Sequence, residues 1–294
     1  MKKLFGGIEA GGTKFVCAIG SGPDDIRKRV RIDTTSPDET IAEVIGFFNQ
    51  NKSSHPITSL GIGSFGPLDL DPNSETYGFI TSTPKIGWQN INLLGEISSA
   101  LKIPVKIDTD VAAAGITEFK WGAAKNCNNF IYLTVGTGIG GSIIINGSSL
   151  RGLIHPEMGH VYVPRIEGDD FVGACEYHRN CLEGMASGTA LNKRWGVRAE
   201  HLSEDHPAWE LEAGYLAIGL VDFILTVSPE RIVIGGGVMN NNGLIKLIRN
   251  RVKHYLNGYL QSPFLESDIN DYIVLPKLQN NSGILGAIAM AMKL

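Results

Sequence analysis

Two cysteines and a histidine recur at even spacing in CEYHRNCLEG, residues 175–184, as Cys175-x-x-His178-x-x-Cys181. Thiolates and imidazoles at short spacing are the usual donors to a structural zinc, which takes four ligands in a tetrahedron. Three donors are local here. A fourth must come from elsewhere, and His155 and His160 both lie upstream. Two thiolates and two neutral imidazoles would balance the charge of Zn2+. The competing reading is a solvent-facing loop that happens to hold these side chains. A disulfide framework is not expected, because four cysteines in a chain without a secretory leader read as reduced thiols. Cys17 lies in an apolar strand and reads as a small core residue. Cys127 has no partner near it in sequence.

A second set of residues could hold phosphate. There are 36 glycines in 294 residues, about 12% against an average near 7%. They cluster in GGIEAGGTK, GIGSFGP, GTGIGG and GGGV. Successive backbone N–H groups in a glycine turn make an anion-binding nest. Thr13 and Thr137 add hydroxyl donors and Lys14 adds positive charge. GTGIGG is not a dinucleotide fingerprint, because that motif needs a helix straight after its glycines. The residues that follow, Ser142 to Ile145, are mostly β-branched and favour a strand. A P-loop is excluded too, since no Gly-Lys dipeptide occurs. Taken singly, each glycine turn could be turn chemistry and nothing more.

The elements that must carry these residues read as α/β. Residues 4–20 and 130–147 are both strand, glycine turn, strand, about 125 residues apart, so each could open its own domain. SPDETIAEVIGFFNQ begins a helix with Ser-Pro and acids. ELEAGYLAIGLVDFILTV is a buried helix stopped by Ser228-Pro229, RIVIGGGVM a buried strand ending in a glycine turn, and SGILGAIAMAMKL a helix from Ser282. Residues 159–184 lack periodicity and read as a loop-rich insertion. The strand VKID gives way to a helix near Asp110, where a domain boundary is expected. Asp108 and Asp110 would share one face of a strand, and either could instead cap the following helix. The net charge of −4 excludes the basic surface of a nucleic-acid binder. MKKLFGGIEAGG lacks the apolar core of a signal peptide, and the apolar stretches are too short or interrupted to span a bilayer. A cytoplasmic protein with no membrane partner is expected.

GIEAGGTK, VGTGIGG, HPEMGH, the cysteine–histidine cluster with CLEG, and IGGGV stand in the order typical of the ROK family of sugar kinases, which the chain resembles from residue 4 to its last helix. GIGSFGPLDLD and YGFITSTPKIGW resemble the family's fructokinase branch. The resemblance implies a two-domain actin/hexokinase-like (ribonuclease H-like) α/β fold with an interdomain cleft. Residues 1–110 with 282–294 would form the smaller domain, and 111–281 the larger. It implies transfer of the γ-phosphoryl of ATP to a hexose, D-fructose first, with a broader hexokinase acting on mannose or glucose, or a non-catalytic sugar-binding protein, as alternatives. The family's repressors need a DNA-binding domain ahead of the kinase-like part, for which the strand starting near Leu4 leaves no room.

By the same resemblance Asp110 is the general base. Thr13 and Lys14 sit in the first phosphate turn, and Gly136, Thr137, Gly138 and Gly140 in the second. Gly235, Gly236, Gly237 and Asn240, with Ser187 and Gly188, border the adenosine. Gly66, Pro67, Thr83, Asp110, Glu157, His160 and Glu183 contact the sugar. Magnesium would travel with ATP; Glu9, where many members have Asp, is the nearest acid, with Asp108 a further candidate, although a strand-end Glu is ordinarily a surface residue. The family pattern selects His160 as the fourth ligand beside Cys175, His178 and Cys181 for a structural zinc. That metal would tie together segments carrying Glu157 and Glu183, so losing a cysteine is expected to weaken sugar binding before ATP binding. A homodimer is implied as well. Two departures stand out. Thr109, Val111 and Ala112 surround Asp110 where Asn is frequent, which turns the expectation away from glucose. Thr189 stands where proline is common.

Overall fold

The computed structural model describes residues 3–278 and 281–294; the first two residues of the expected smaller domain lie outside it. The chain divides into two compact units. One takes the chain up to Lys125, Gly147–Pro156 and Leu278–Leu294; the other takes Asn126–Asn146 and Glu157–Lys277.

The first unit opens with strands β1 (Leu4–Ala10), β2 (Lys14–Gly22) and β3 (Asp25–Asp33). Helix α1 (Pro37–Asn51) follows; Ser36 caps it by accepting from the Glu39 N–H, with Pro37 in the first turn. Strand β4 (Ile57–Ser64), helix α2 (Leu93–Leu101), strand β5 (Val105–Thr109) and helix α3 (Asp110–Trp121) complete it. The sheet order is β3-β2-β1-β4-β5. β1 runs antiparallel to β2 and parallel to β4.

In the second unit β6 (Asn129–Val135) and β7 (Ile139–Ile145) form the other glycine-tipped hairpin. The segment after it returns to the first unit with a two-residue strand, β8 (Ser148–Ser149). Then come helices α4 (Leu182–Ala186), α5 (Gly188–Trp195) and α6 (Ala208–Val227), strand β9 (Arg231–Gly235), helices α7 (Leu244–Leu256), α8 (Pro263–Glu266) and α9 (Ile269–Tyr272), and strand β10 (Ile273–Val274). Within this unit the strands run β10-β9-β6-β7. β6 is antiparallel to β7 and parallel to β9, which repeats the arrangement of β1 with β2 and β4. The apolar stretch expected as a buried helix is α6, and Leu216, Leu220 and Phe223 on it are buried.

The last helix, α10 (Ser282–Ala291), belongs to the first unit and crosses β4 and α3 at backbone contact. A Cβ on Gly61 would sit 1.9 Å from the Ala287 carbonyl oxygen, and one on Gly286 1.8 Å from that of Ala113. Only glycine permits that approach.

The structure corrects one reading of the Asp108–Asp110 stretch. Neither aspartate caps the helix. Thr109 does, its hydroxyl accepting from the Ala112 N–H at 3.1 Å. The shorter β-branched side chain between the two acids reaches the third amide, which leaves both carboxylates for other partners.

Candidate active site

In the first unit, β5 and α3 deliver Asp108 and Asp110 to different surroundings. The Asp108 carboxylate accepts from the Ser149 hydroxyl at 2.6 Å and from Arg151 Nη2 at 2.8 Å, and it is buried. It is a fixed ion pair. Asp110 opens α3 and accepts only the adjacent Val111 N–H at 2.8 Å among described residues. Desolvation by its packing pushes its carboxyl up to about 6, and the nearby Glu9 charge pushes in the same direction, against the Val111 hydrogen bond. A carboxylate held near neutrality is suited to accept a proton.

Glu9, on β1, is not a surface residue. Its carboxyl packs on the start of α10: a Cβ on Gly283 would lie 2.5 Å from its carboxyl carbon, and the Ile284 N–H donates to it. Burial raises its pKa, and Lys14 and Arg29 pull the other way. The first glycine turn closes by Gly11 N–H to Lys14 O at 3.0 Å, and Thr34 ties it from β3's end by donating its hydroxyl to Gly11 O. Thr13 and Lys14 remain exposed at its tip.

The SFGP and TSTPK stretches also fall in this unit. Pro67 O accepts from the Thr81 N–H and hydroxyl, and Leu68 N–H donates to His155 Nε2 at 3.2 Å. His155 is thereby engaged away from the cysteines. Gly66 lies against the same imidazole. Thr83 is buried and accepts from Lys85 N–H. Trp88 is a core residue, packed on Phe15 and Phe65 with its Nε1–H given to Thr35 O.

In the second unit, a cavity of about 600 Å3 is bordered by Gly136, Thr137, Gly188, Gly237 and Asn240. That volume suits a nucleotide-sized ligand. Its floor is the β6–β7 turn. Helix α5, capped by the buried Ser187 hydroxyl on Ala190 N–H, donates Gly188 N–H to Gly136 O at 2.7 Å. Thr189 gives both its N–H and its hydroxyl to Thr137 O, at 3.2 and 2.7 Å. A proline at 189 could make neither bond. With these carbonyls turned toward α5, the Thr137 and Gly138 N–H groups have no protein acceptor among described residues. Two free amides in succession in a glycine turn could accept an anion. Gly140, Gly235 and Gly236 do not line the cavity. Gly140 pairs with Thr134 inside the hairpin, Gly235 packs on Pro276, and Gly236, at φ +98°, lets β9's end pass the Val135 backbone.

Arg198 and Glu200 also border the cavity, with Asn192 and Thr189. The sequence reading missed Arg198, Glu200 and Asn192. Both charged side chains are exposed and match no motif. The usable signal was Gly196, a left-handed helix cap that turns the chain out of α5.

The cysteine–histidine segment folds around one point. His160, Cys175, His178 and Cys181 present ligand atoms all within 4.8 Å of one another. His160 Nδ1 lies 3.3 Å from His178 Nδ1, 3.6 Å from Cys181 Sγ and 3.8 Å from Cys175 Sγ. Donors about 2.0–2.3 Å from a tetrahedral zinc stand roughly 3.3–3.8 Å apart. The donor set and its spacing therefore fit zinc. Cys181 also caps α4, its Sγ accepting from Gly184 N–H. Glu183, two residues on, accepts the Ile139 N–H at 2.9 Å. Glu157 stands exposed where the 3-10 turn Met158–His160 begins.

Among the described residues, no helix is long and apolar enough to cross a membrane. The ROK family sequence profile matches residues 5–293. The fructokinase of Lactococcus lactis subsp. cremoris is 43% identical, covering 100% of this chain and 99% of its own length. That of Pediococcus pentosaceus is 42% identical, covering 98% and 97%. Among solved structures, the ROK hexokinase from Thermus thermophilus aligns with a TM-score of 0.81 at 26% identity, covering 99% of this chain and 98% of that one.

Proposed function

The chain belongs to the ROK family and has its two-domain actin/hexokinase-like α/β fold, and from that premise we propose that it is a fructokinase, transferring the γ-phosphoryl group of ATP to D-fructose to give fructose 6-phosphate. The relatives named fructokinase, 42–43% identical over nearly the whole chain, support the sugar assignment.

The observation that carries the mechanism is the contrast between the two aspartates. Asp108 is fixed by Arg151 and Ser149. Asp110 is left with a carboxyl poised at about 6. Asp110 takes the proton of the attacking sugar hydroxyl as its oxygen bonds to phosphorus and the bond to the ADP oxygen breaks. The free Thr137 and Gly138 amides hold phosphate oxygens, and Thr13 and Lys14 serve the first turn. Gly188, Gly237 and Asn240 accept the nucleoside end, with Arg198 and Glu200 at its rim. Magnesium would accompany ATP, held mostly by phosphate oxygens and water, and would supply screening of the phosphate charge. Gly66, Pro67, Thr83, Glu157, His160 and Glu183 are the residues assigned to the sugar. His160 can offer only Nε2 to a hydroxyl, because Nδ1 faces the cluster.

His160, Cys175, His178 and Cys181 would hold a structural zinc, which supplies a cross-link and no reacting group. A cytoplasmic homodimer belongs to the same reading.

A hexose panel with ATP and magnesium tests the assignment. Fructose is expected to have the highest kcat/KM. Comparable efficiency on glucose or mannose would replace it with a broader hexokinase, and no turnover on any hexose would leave a binding protein.

A further inference from the structure

We propose that Glu183 is a positioning residue for the phosphate turn, and that the cysteine–histidine cluster acts on nucleotide binding through it. This rests on reading the β6–β7 turn as a phosphate site.

Ile139, where the turn enters β7, is hydrogen-bonded at its N–H and closely packed at its carbonyl. Its N–H donates to Glu183 Oε2 at 2.9 Å. Its carbonyl lies against Gly159, where a Cβ would come within 2.0 Å of the oxygen. Glu183 is two residues from the ligand Cys181, and Gly159 is next to the ligand His160. Each grip is therefore anchored within two residues of a cluster donor. Gly138, inside the turn, sits so close that a Cβ there would fall 2.4 Å from the same Glu183 oxygen.

From the other side, Gly188 and Thr189 hold the carbonyls of Gly136 and Thr137. The turn is thus clamped between α5 and the cluster, and the two free amides face the direction this clamp dictates. Releasing Ile139 removes one jaw. An anion nest depends on its N–H groups converging, so a loosened turn binds phosphate less well. The carboxylate also places negative charge beside a triphosphate site, which no enzyme would keep there for attraction. Toward the turn, its contribution is the hydrogen bond.

That distinction sets the experiment. Dissociation constants for a non-hydrolysable ATP analogue with magnesium are measured by calorimetry without sugar, and amide hydrogen exchange of residues 136–140 is followed in parallel. Glu183→Ala is expected to weaken the analogue at least about tenfold, the effect of losing a charge-assisted hydrogen bond. It should also lower protection of the Ile139 amide. Glu183→Gln keeps an acceptor and should stay within about twofold of wild type. Gly138→Ala, which displaces the carboxylate, should mimic Glu183→Ala. Zinc removal by a chelator should lower the same protection, add little in the Ala variant, and reverse on zinc reloading. Unchanged protection at Ile139 in Glu183→Ala overturns the link to Glu183. Lowered protection with unchanged analogue affinity overturns the phosphate-turn reading and the inference with it. Failure of Gln to rescue, in a protein that melts like wild type, makes charge rather than hydrogen bonding the active property and also overturns the proposal.

Discussion

Arg151 holds Asp108 at 2.8 Å, across 43 residues of sequence, and so separates two carboxylates that stand two residues apart. One is committed to an ion pair; the other accepts only the Val111 N–H among described residues.

Asp110→Asn should therefore abolish most turnover, by roughly a hundred- to ten-thousandfold in kcat, with fructose and nucleotide affinities retained. Asp108→Asn should instead lower stability by about 1–3 kcal/mol, because the buried carboxylate's charged contact to a part-exposed guanidinium is lost, with kcat far less affected. Steady-state kinetics beside urea melts of both variants check this. Equal kcat losses would refute the division of roles.

The pH profile should have an acid limb in kcat/KM near 6, the value to which burial raises Asp110. Glu9→Gln removes a neighbouring negative charge, so ionisation becomes easier and the limb should move to lower pH. The linked stability has the opposite sense to that of a salt-bridged acid. The folded pKa of about 6 exceeds the unfolded 3.8, so the native state binds the proton more tightly. Stability from this group falls as pH rises from about 4 through 6. Asp110→Asn should consequently be the more stable protein at pH 8, by up to about 3 kcal/mol, while inactive. Melts at pH 4 and pH 8 read the difference.

Cys181→Ser should lose the metal without losing the helix cap, since serine also accepts from the third amide of α4. Wild type is expected to carry one zinc per chain by elemental analysis, and the variant none. Where free zinc exceeds its Kd a thousandfold, the stability lost is on the order of 4 kcal/mol. A metal-free wild type that keeps full activity after chelation would remove zinc from the account.

Gly286→Ala should destabilise the first unit by about 1–3 kcal/mol or more, because the new Cβ meets the Ala113 carbonyl at 1.8 Å and a backbone cannot yield cheaply. Calorimetric melting of the variant checks it, and an unchanged transition would show that α10 can shift at little cost.

Local chemistry made much of this legible in sequence. The β-branched residues after GTGIGG fixed a hairpin rather than a Rossmann turn, and β6–β7 is that hairpin. Cys175, His178 and Cys181 announced a cluster by spacing alone, but the choice of His160 over His155 needed the family pattern. The structure engages His155 with Leu68 instead. What stayed hidden depends on distant residues. Spacing alone could not tell Asp108 from Asp110; their different partners rest on Ser149 and Arg151. Glu183 looked like a sugar contact only, because its partner Ile139 lies 44 residues earlier. A surface position was one of the readings open for Glu9, because α10, which half-covers it, comes from the far end of the chain. Arg198 and Glu200 carry no pattern at all; they matter through where Gly196 sends the backbone.

The interlock of α10 with β4 and α3 also has a bearing on how the molecule is made. The sheet β3-β2-β1-β4-β5 is translated by Thr109, yet the helix that covers Gly61 and fits against Ala113 begins at Ser282. On the ribosome the first unit must wait, its apolar face open, while the whole second unit emerges and is free to fold ahead of it. The nascent first unit, rather than the later one, is where a chaperone would find its substrate.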